Sequence, residues 1–347
     1  NLREKDDFVV DSSREFLKPP PKRKSAGEFG IANTPPTVKL RIFTHLDPEY
    51  FGGEDQYMAC WANWAYVARS EENKFYMAAS DHLAKGCDIN VYEYDHRGDS
   101  FQRIIDVDEL LGWTDDMYTD GKIHGGMAVM PDGTLWAATH FGVHPNEKWY
   151  ESGYRGSWVF SYDLKTGEGK NWGTPLIRNS LPCFAVDTQR GYLVGTGSAK
   201  TMLSWDCDEK RVRFAGYPPN GWVWWARSML LDKTTGKFWG MDRSQKPYHL
   251  ISFAPELNRF ERYDTTVPAN PVTEKVGQFR GHTKKRAMDG CFYWASRNGT
   301  LMKFRPEGEK GPTLEAVDVT WDRGRDTLQL ALSPKGRYIY YQPKSYP

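Results

Sequence analysis

One hairpin pattern recurs along this chain and limits what it can fold into. A short apolar–aromatic run meets a polar turn, and a second such run follows. The clearest cases are residues 61–80 (WANWAYVARSEENKFYMAAS), 124–140 (HGGMAVMPDGTLWAATH) and 181–198 (LPCFAVDTQRGYLVGTGS). Three more are residues 225–243, 282–297 and 328–343, and the six turns centre near residues 72, 132, 190, 235, 289 and 335. Second hairpins follow at 90–105, 156–173, 202–217 and 249–264. Four strands per repeat, at intervals of about 45 to 60 residues, is the sequence mark of a β-propeller. A β-sandwich does not account for such regular units. Helical signals are nearly absent, and only "DVDELLG" at 106–112 predicts a single turn.

The expected fold is therefore an all-β propeller. Six inner hairpins are visible and seven blades are expected, with the strand near 37–46 completing a further blade or closing the ring. Residues 1–36 are polar, Pro-rich and without periodicity, and read as an extended or partly disordered arm. Residues 37–347 read as a single propeller domain.

Composition narrows the function. The 14 Trp and 19 Tyr, with 32 Gly and 21 Pro, suit short strands and tight turns. They also suit carbohydrate surfaces, where flat rings stack on sugar faces. The net charge of +1, without long blocks of one sign, argues against nucleic acid as the main partner. No apolar run is long enough for a membrane span. The chain begins "NLREKDDFVV", without Met, which reads as a processed product and a secreted or periplasmic origin. A monomer is expected. The five Cys hold no CxxC and no zinc spacing, and Cys60 and Cys87 are placed to bridge neighbouring segments.

Residues equidistant from a hairpin turn meet across the strand pair. His124 and His140 each lie eight residues from Asp132 in the "PDG" turn, so they are expected side by side. The same rule places Arg227 and Arg243 either side of Thr235. Equivalent ends of other blades supply Trp61, Trp64, Asp81 and His82, then His144, then Arg178 and Asn179. Arg280, His282, Arg297, Arg325 and Gln342 complete the set. Arginine forks match carboxylates, and histidine exchanges protons near neutral pH. Together they suit β-elimination at a uronate, in which one group takes the proton alpha to the carboxylate and arginine stabilises the resulting charge. Trp61, Trp64, Trp224 and Trp225 are candidates for stacking on sugar rings. No cofactor is required. A metal ion held by His124, His140 and His144 is an alternative, although the region lacks the usual carboxylates.

The segment "KIHGGM…PDGTLWAATHFG" (122–142) resembles the β-propeller polysaccharide lyases, including ulvan lyases and L-rhamnose–α-1,4-D-glucuronate lyases. The likeness covers the repeat from about 60 to 343 and is specific only at 122–142. It implies a seven-bladed fold and an acidic polysaccharide or oligosaccharide as partner. It also implies His124 and His140 as the proton-transfer pair, and Arg227 or Arg243 as the carboxylate neutraliser. The sequence leaves open which histidine is base and which acid. The expected substrate-binding set is Trp61, Trp64, His82, His144, Tyr154, Trp225, Arg280, His282 and Arg297. Ulvan lyases use a tyrosine on another blade, where this chain has Arg227, and Tyr154 is a poor positional match. A related propeller family hydrolyses rhamnosyl–glucuronate, so a rhamnosidase-like hydrolase is one alternative. A non-catalytic glycan- or protein-binding propeller is another, and a lactonase-like metal hydrolase a third.

Overall fold

The computed structural model describes residues 8–18, 32–41, 66–80, 88–114, 117–320 and 326–343. Cys60, Trp61, Trp64, Asp81, His82, Cys87 and Arg325 lie outside the described residues. The chain divides into two compact units: one of residues 46–244 and 251–261, the other of residues 1–45, 245–250 and 262–347.

The strands follow the hairpin repeat. β1 (Phe8–Asp11) pairs with β2 (Val38–Arg41). The first four-stranded sheet is β3 (Ala68–Arg69), β4 (Lys74–Ser80), β5 (Ile89–Asp95) and β6 (Ser100–Asp106). The helix α1 (Val107–Leu111) comes next. The second sheet is β7 (Ala128–Val129), β8 (Thr134–Ala138), β9 (Val159–Asp163) and β10 (Gly169–Asn171), with α2 (Glu147–Glu151) between its second and third strands. The third is β11 (Cys183–Asp187), β12 (Tyr192–Thr196), β13 (Met202–Asp206) and β14 (Arg211–Gly216). The fourth is β15 (Leu230–Asp232), β16 (Lys237–Asp242), β17 (His249–Ala254) and β18 (Arg259–Thr266). The fifth is β19 (Phe279–His282), β20 (Phe292–Ser296), β21 (Thr300–Arg305) and β22 (Thr313–Val319), and β23 (Thr327–Leu332) pairs with β24 (Ile339–Pro343).

Five four-stranded antiparallel meanders and two strand pairs thus follow one another in chain order among the described residues. Each meander is a propeller blade, and the fold is an all-β β-propeller. One expectation about the N-terminal strand changes. Val38–Arg41 pairs with Phe8–Asp11 in the described sheet, and not with the last strand pair. The predicted turn at 106–112 is α1, capped by the Asp106 carboxylate and ended by Gly112 in the left-handed region at φ 70°.

In the larger unit, alternation puts Leu135, Ala137, Val159, Leu193 and Leu203 into a continuous core. Trp136 and Trp172 stack 5.8 Å apart, and Lys210 sets its ammonium 5.0 Å from the Trp136 ring. The inner strands of successive blades touch through the "GG" of the opening segment. Tyr66 donates its backbone N–H to Gly125, and Gly126 donates to Phe184 at 2.7 Å. A Cβ on Gly125 would lie 2.0 Å from the Phe184 ring, so only glycine allows this approach. In the smaller unit Cys291, Tyr293, Ala295, Leu301 and Leu330 form the core.

Candidate functional site

The tight approach at Gly125–Gly126 decides where the histidines go. Ala128 pairs with Trp136 and Val129 with Leu135. Continued outward, that register would put His124 opposite His140. Instead Lys122 pairs with His140 through two backbone hydrogen bonds of 3.0 and 2.7 Å. The first strand therefore carries two extra residues between Lys122 and Ala128, drawn aside toward Phe184. His124 sits in that irregular stretch and meets His140 by its ring edge. The ring centroids are 5.4 Å apart at an interplanar angle of 75°. The two are neighbours, but by a bulge and not by a straight ladder.

Arg227 joins them. Its Nη1 lies 3.3 Å from His124 Nε2. A guanidinium only donates, so His124 Nε2 accepts and the His124 proton resides on Nδ1. Arg243 goes elsewhere. Backbone pairing sets Arg243 opposite Val223, and its guanidinium lies 5.0 Å from the Trp225 ring centre. The expected Arg227/Arg243 pair is thus split, because Ala226 and Arg227 form a turn before β15. Trp225 is buried beneath Arg243 and Trp224 is buried in the core.

Behind His140 lies a chain of hydroxyls that sequence reasoning missed. His140 Nδ1 is 2.6 Å from Ser180 Oγ, and Ser180 Oγ is 3.0 Å from Ser157 Oγ. Ser157 in turn hydrogen-bonds the Asp120 carboxylate. Thr139 and Tyr154 also donate to Asp120, each at 2.6 Å. The backbone N–H groups of Phe141 and Leu181 donate to Ser180 Oγ and Ser157 Oγ. With Asp120 ionised, only one polarity uses every hydrogen. His140 Nδ1–H donates to Ser180, Ser180 to Ser157, and Ser157 to Asp120. That polarity makes Nε2 the basic nitrogen of His140. Asp120 is fully buried, and burial holds its carboxyl above the usual range while the three hydroxyls pull it back down.

The other candidates fall into place around this core or away from it. Tyr154, expected against a sugar, is buried, and its hydroxyl is committed to Asp120; burial and that carboxylate push it well above the usual phenol range. His144 is exposed; its ring lies 4.9 Å from Phe141 and its Nδ1 2.8 Å from the Pro145 carbonyl oxygen. Among the described residues no group of three His, Cys, Asp or Glu is arranged to hold a metal ion, so the trio His124, His140 and His144 makes no such set. Arg178 is exposed, pairs with Glu147 at 3.2 Å and covers the Tyr150 ring. Asn179 accepts from Thr201 and the Ala199 N–H as a corner brace.

Arg280, His282 and Arg297 belong to the smaller unit. His282 is buried, with Nδ1 3.2 Å from the Thr283 carbonyl and its ring edge on Trp294. Arg280 and Arg297 approach Asp326 at 3.9 and 3.3 Å. Side-chain placement of Gln342 lies outside the described set.

No family model matches this chain, and no curated protein matches it. Similar solved structures include a nidogen/laminin complex, at 10% identity and TM-score 0.45, covering 78% of this chain and 86% of that one. Another is a structural genomics protein of unknown function from Bacteroides thetaiotaomicron VPI-5482, at 12% identity and TM-score 0.43, covering 83% and 69%.

Proposed function

We propose that this chain is a polysaccharide lyase that cleaves the bond to a uronic acid by β-elimination, in rhamnose–glucuronate linkages. The observation that carries the reading is the meeting of His124 and His140 of one blade with Arg227 of another. His140 Nε2 takes the proton alpha to the carboxylate. The freed electron pair forms the ring double bond and the bond to the leaving oxygen breaks. His140 then returns its proton to that oxygen. Arg227 neutralises the uronate carboxylate and so stabilises the enolate-like charge. The Arg227–His124 hydrogen bond gives His124 the part of orienting that guanidinium.

Among the described residues, the carboxylate of this network suits elimination better than hydrolysis. Glycosidases use two carboxylates flanking the bond. The carboxylate nearest His140 in this network, Asp120, is enclosed by three hydroxyls and reaches the site only through serines.

The test is incubation with rhamnose–glucuronate glycans, followed in the ultraviolet for the unsaturated uronate. A rise supports elimination. Release of reducing sugar without that rise would overturn it in favour of the hydrolase. Binding without any product would leave a non-catalytic glycan-binding propeller. His140→Ala should lower turnover by about 10²–10⁴-fold, the usual range for general acid–base groups.

A further inference from the structure

We infer that the smaller unit holds a second carbohydrate site, a cleft of about 370 Å³ lined by Tyr248, Val276, Gln278, Arg297 and Asp326 that binds one neutral, hydroxyl-rich sugar ring. Its size lies at the small end of ligand pockets, with room for a single ring. The floor is the Asp326 carboxylate, whose side chain is only 7% exposed. Arg297 Nε donates to Asp326 Oδ1 at 3.3 Å. Asp326 Oδ2 has Arg280 at 3.9 Å as an ion-pair neighbour but accepts no hydrogen bond from the described residues. A carboxylate oxygen so deeply set, in the lining of a cleft, is an acceptor waiting for a donor.

The other walls supply what that donor's molecule needs. Arg297 spends its Nε on Asp326, and its side chain is half exposed. Its terminal N–H groups have no acceptor among the described residues, and neither has the Gln278 amide. Donors and an acceptor thus lie side by side, the arrangement that reads a pair of ring hydroxyls. Tyr248 and Val276 give an apolar wall for the C–H face of the ring. A carboxylate ligand fits poorly, because it would face Asp326. This site stands independently of the reaction proposed at His140.

The experiment is saturation-transfer NMR and titration calorimetry on the full chain. The probes are methyl α-L-rhamnopyranoside and, as the anionic control, D-glucuronate. Expected is rhamnoside binding that weakens by on the order of tenfold in Asp326→Asn and Arg297→Gln, the scale of one lost charge-assisted hydrogen bond. The same binding is retained in His140→Ala. Thermal melts with wild-type midpoints show that both variants fold. If Asp326→Asn does not fold, Arg297→Gln and Tyr248→Ala carry the test. Absence of rhamnoside binding, binding unchanged in the variants, or preference for glucuronate would each overturn the assignment. Loss of binding in His140→Ala would show that the sugar sits at the other site.

Discussion

At the scale of single residues, Ser180 is the hinge of the proposed chemistry. It touches no expected reacting atom, yet it fixes which nitrogen of His140 carries the proton. It is a positioning residue, so its loss should show in turnover and not in binding. Ser180→Ala is expected to lower kcat by about tenfold and leave KM unchanged, and Ser180→Thr should restore part of it. Steady-state kinetics separates the two, and an equal rise in KM would mean a role in binding. Asp120→Asn keeps the shape but offers an amide where three hydroxyls donate. The mismatch should cost about 1–3 kcal/mol of stability in urea unfolding. The thiols give a third expectation. Cys183, Cys207 and Cys291 are buried, and burial pushes the Cys207 thiol up to about 12. A thiolate is the reactive form, so a disulfide reagent should leave these three unmodified in the native protein. Peptide mapping reads the result.

At the scale of elements, the hairpins were legible because each is specified locally. A turn such as "PDG" needs only its own residues. Asp132 accepts from the Thr134 N–H at 2.8 Å and Gly133 takes φ 96°. The site was less legible because it depends on departures from that regularity. Equal spacing about Asp132 put His124 and His140 opposite one another, but the bulge follows from Gly125 meeting Phe184, a contact sixty residues away in the chain. Spacing points to Arg178 and Asn179, whereas the residue that reaches His140 is Ser180. Arg178 adopts φ 55° in the turn before β11, and Ser180, two residues on, is the one that meets His140. Gly125→Ala tests this account. With the new methyl in the Phe184 ring, overpacking should cost about 1–3 kcal/mol and disturb the histidine pair. Helix α1 carries a pH dependence. Burial, then the neighbouring Asp88 and Asp106 charges, raise the Asp108 carboxyl above its ordinary value. The folded chain therefore holds a proton that the unfolded chain releases. Stability from this group is present below the ordinary carboxylate range and is lost as pH rises above it. Asp108→Asn should flatten that decline in melts recorded from mildly acidic to alkaline pH.

At the scale of the whole molecule, repetition brings distant residues together without any long-range code in the sequence. Each blade contributes a strand end, and loops between blades are free to carry different groups. His124, His140, Ser180 and Arg227 come from three blades in this way, and of their contacts only the nearness of His124 to His140 is readable from spacing. The charge balance sets how a polyanionic substrate would reach them. With 46 basic and 45 acidic side chains, the chain has a net charge of +1, so its long-range field is weak. Steering depends on a one-signed field extending beyond the Debye length, about 8 Å at physiological salt. In the proposed mechanism, recognition by Arg227 is a contact interaction within that length. The kcat/KM for an acidic glycan should therefore change by no more than about threefold between low and physiological ionic strength, while Arg227→Gln abolishes most of kcat/KM at either. Initial rates across a salt series, on wild type and variant together, decide it. A steep fall with salt that persists in Arg227→Gln would mean that a basic surface elsewhere captures the glycan.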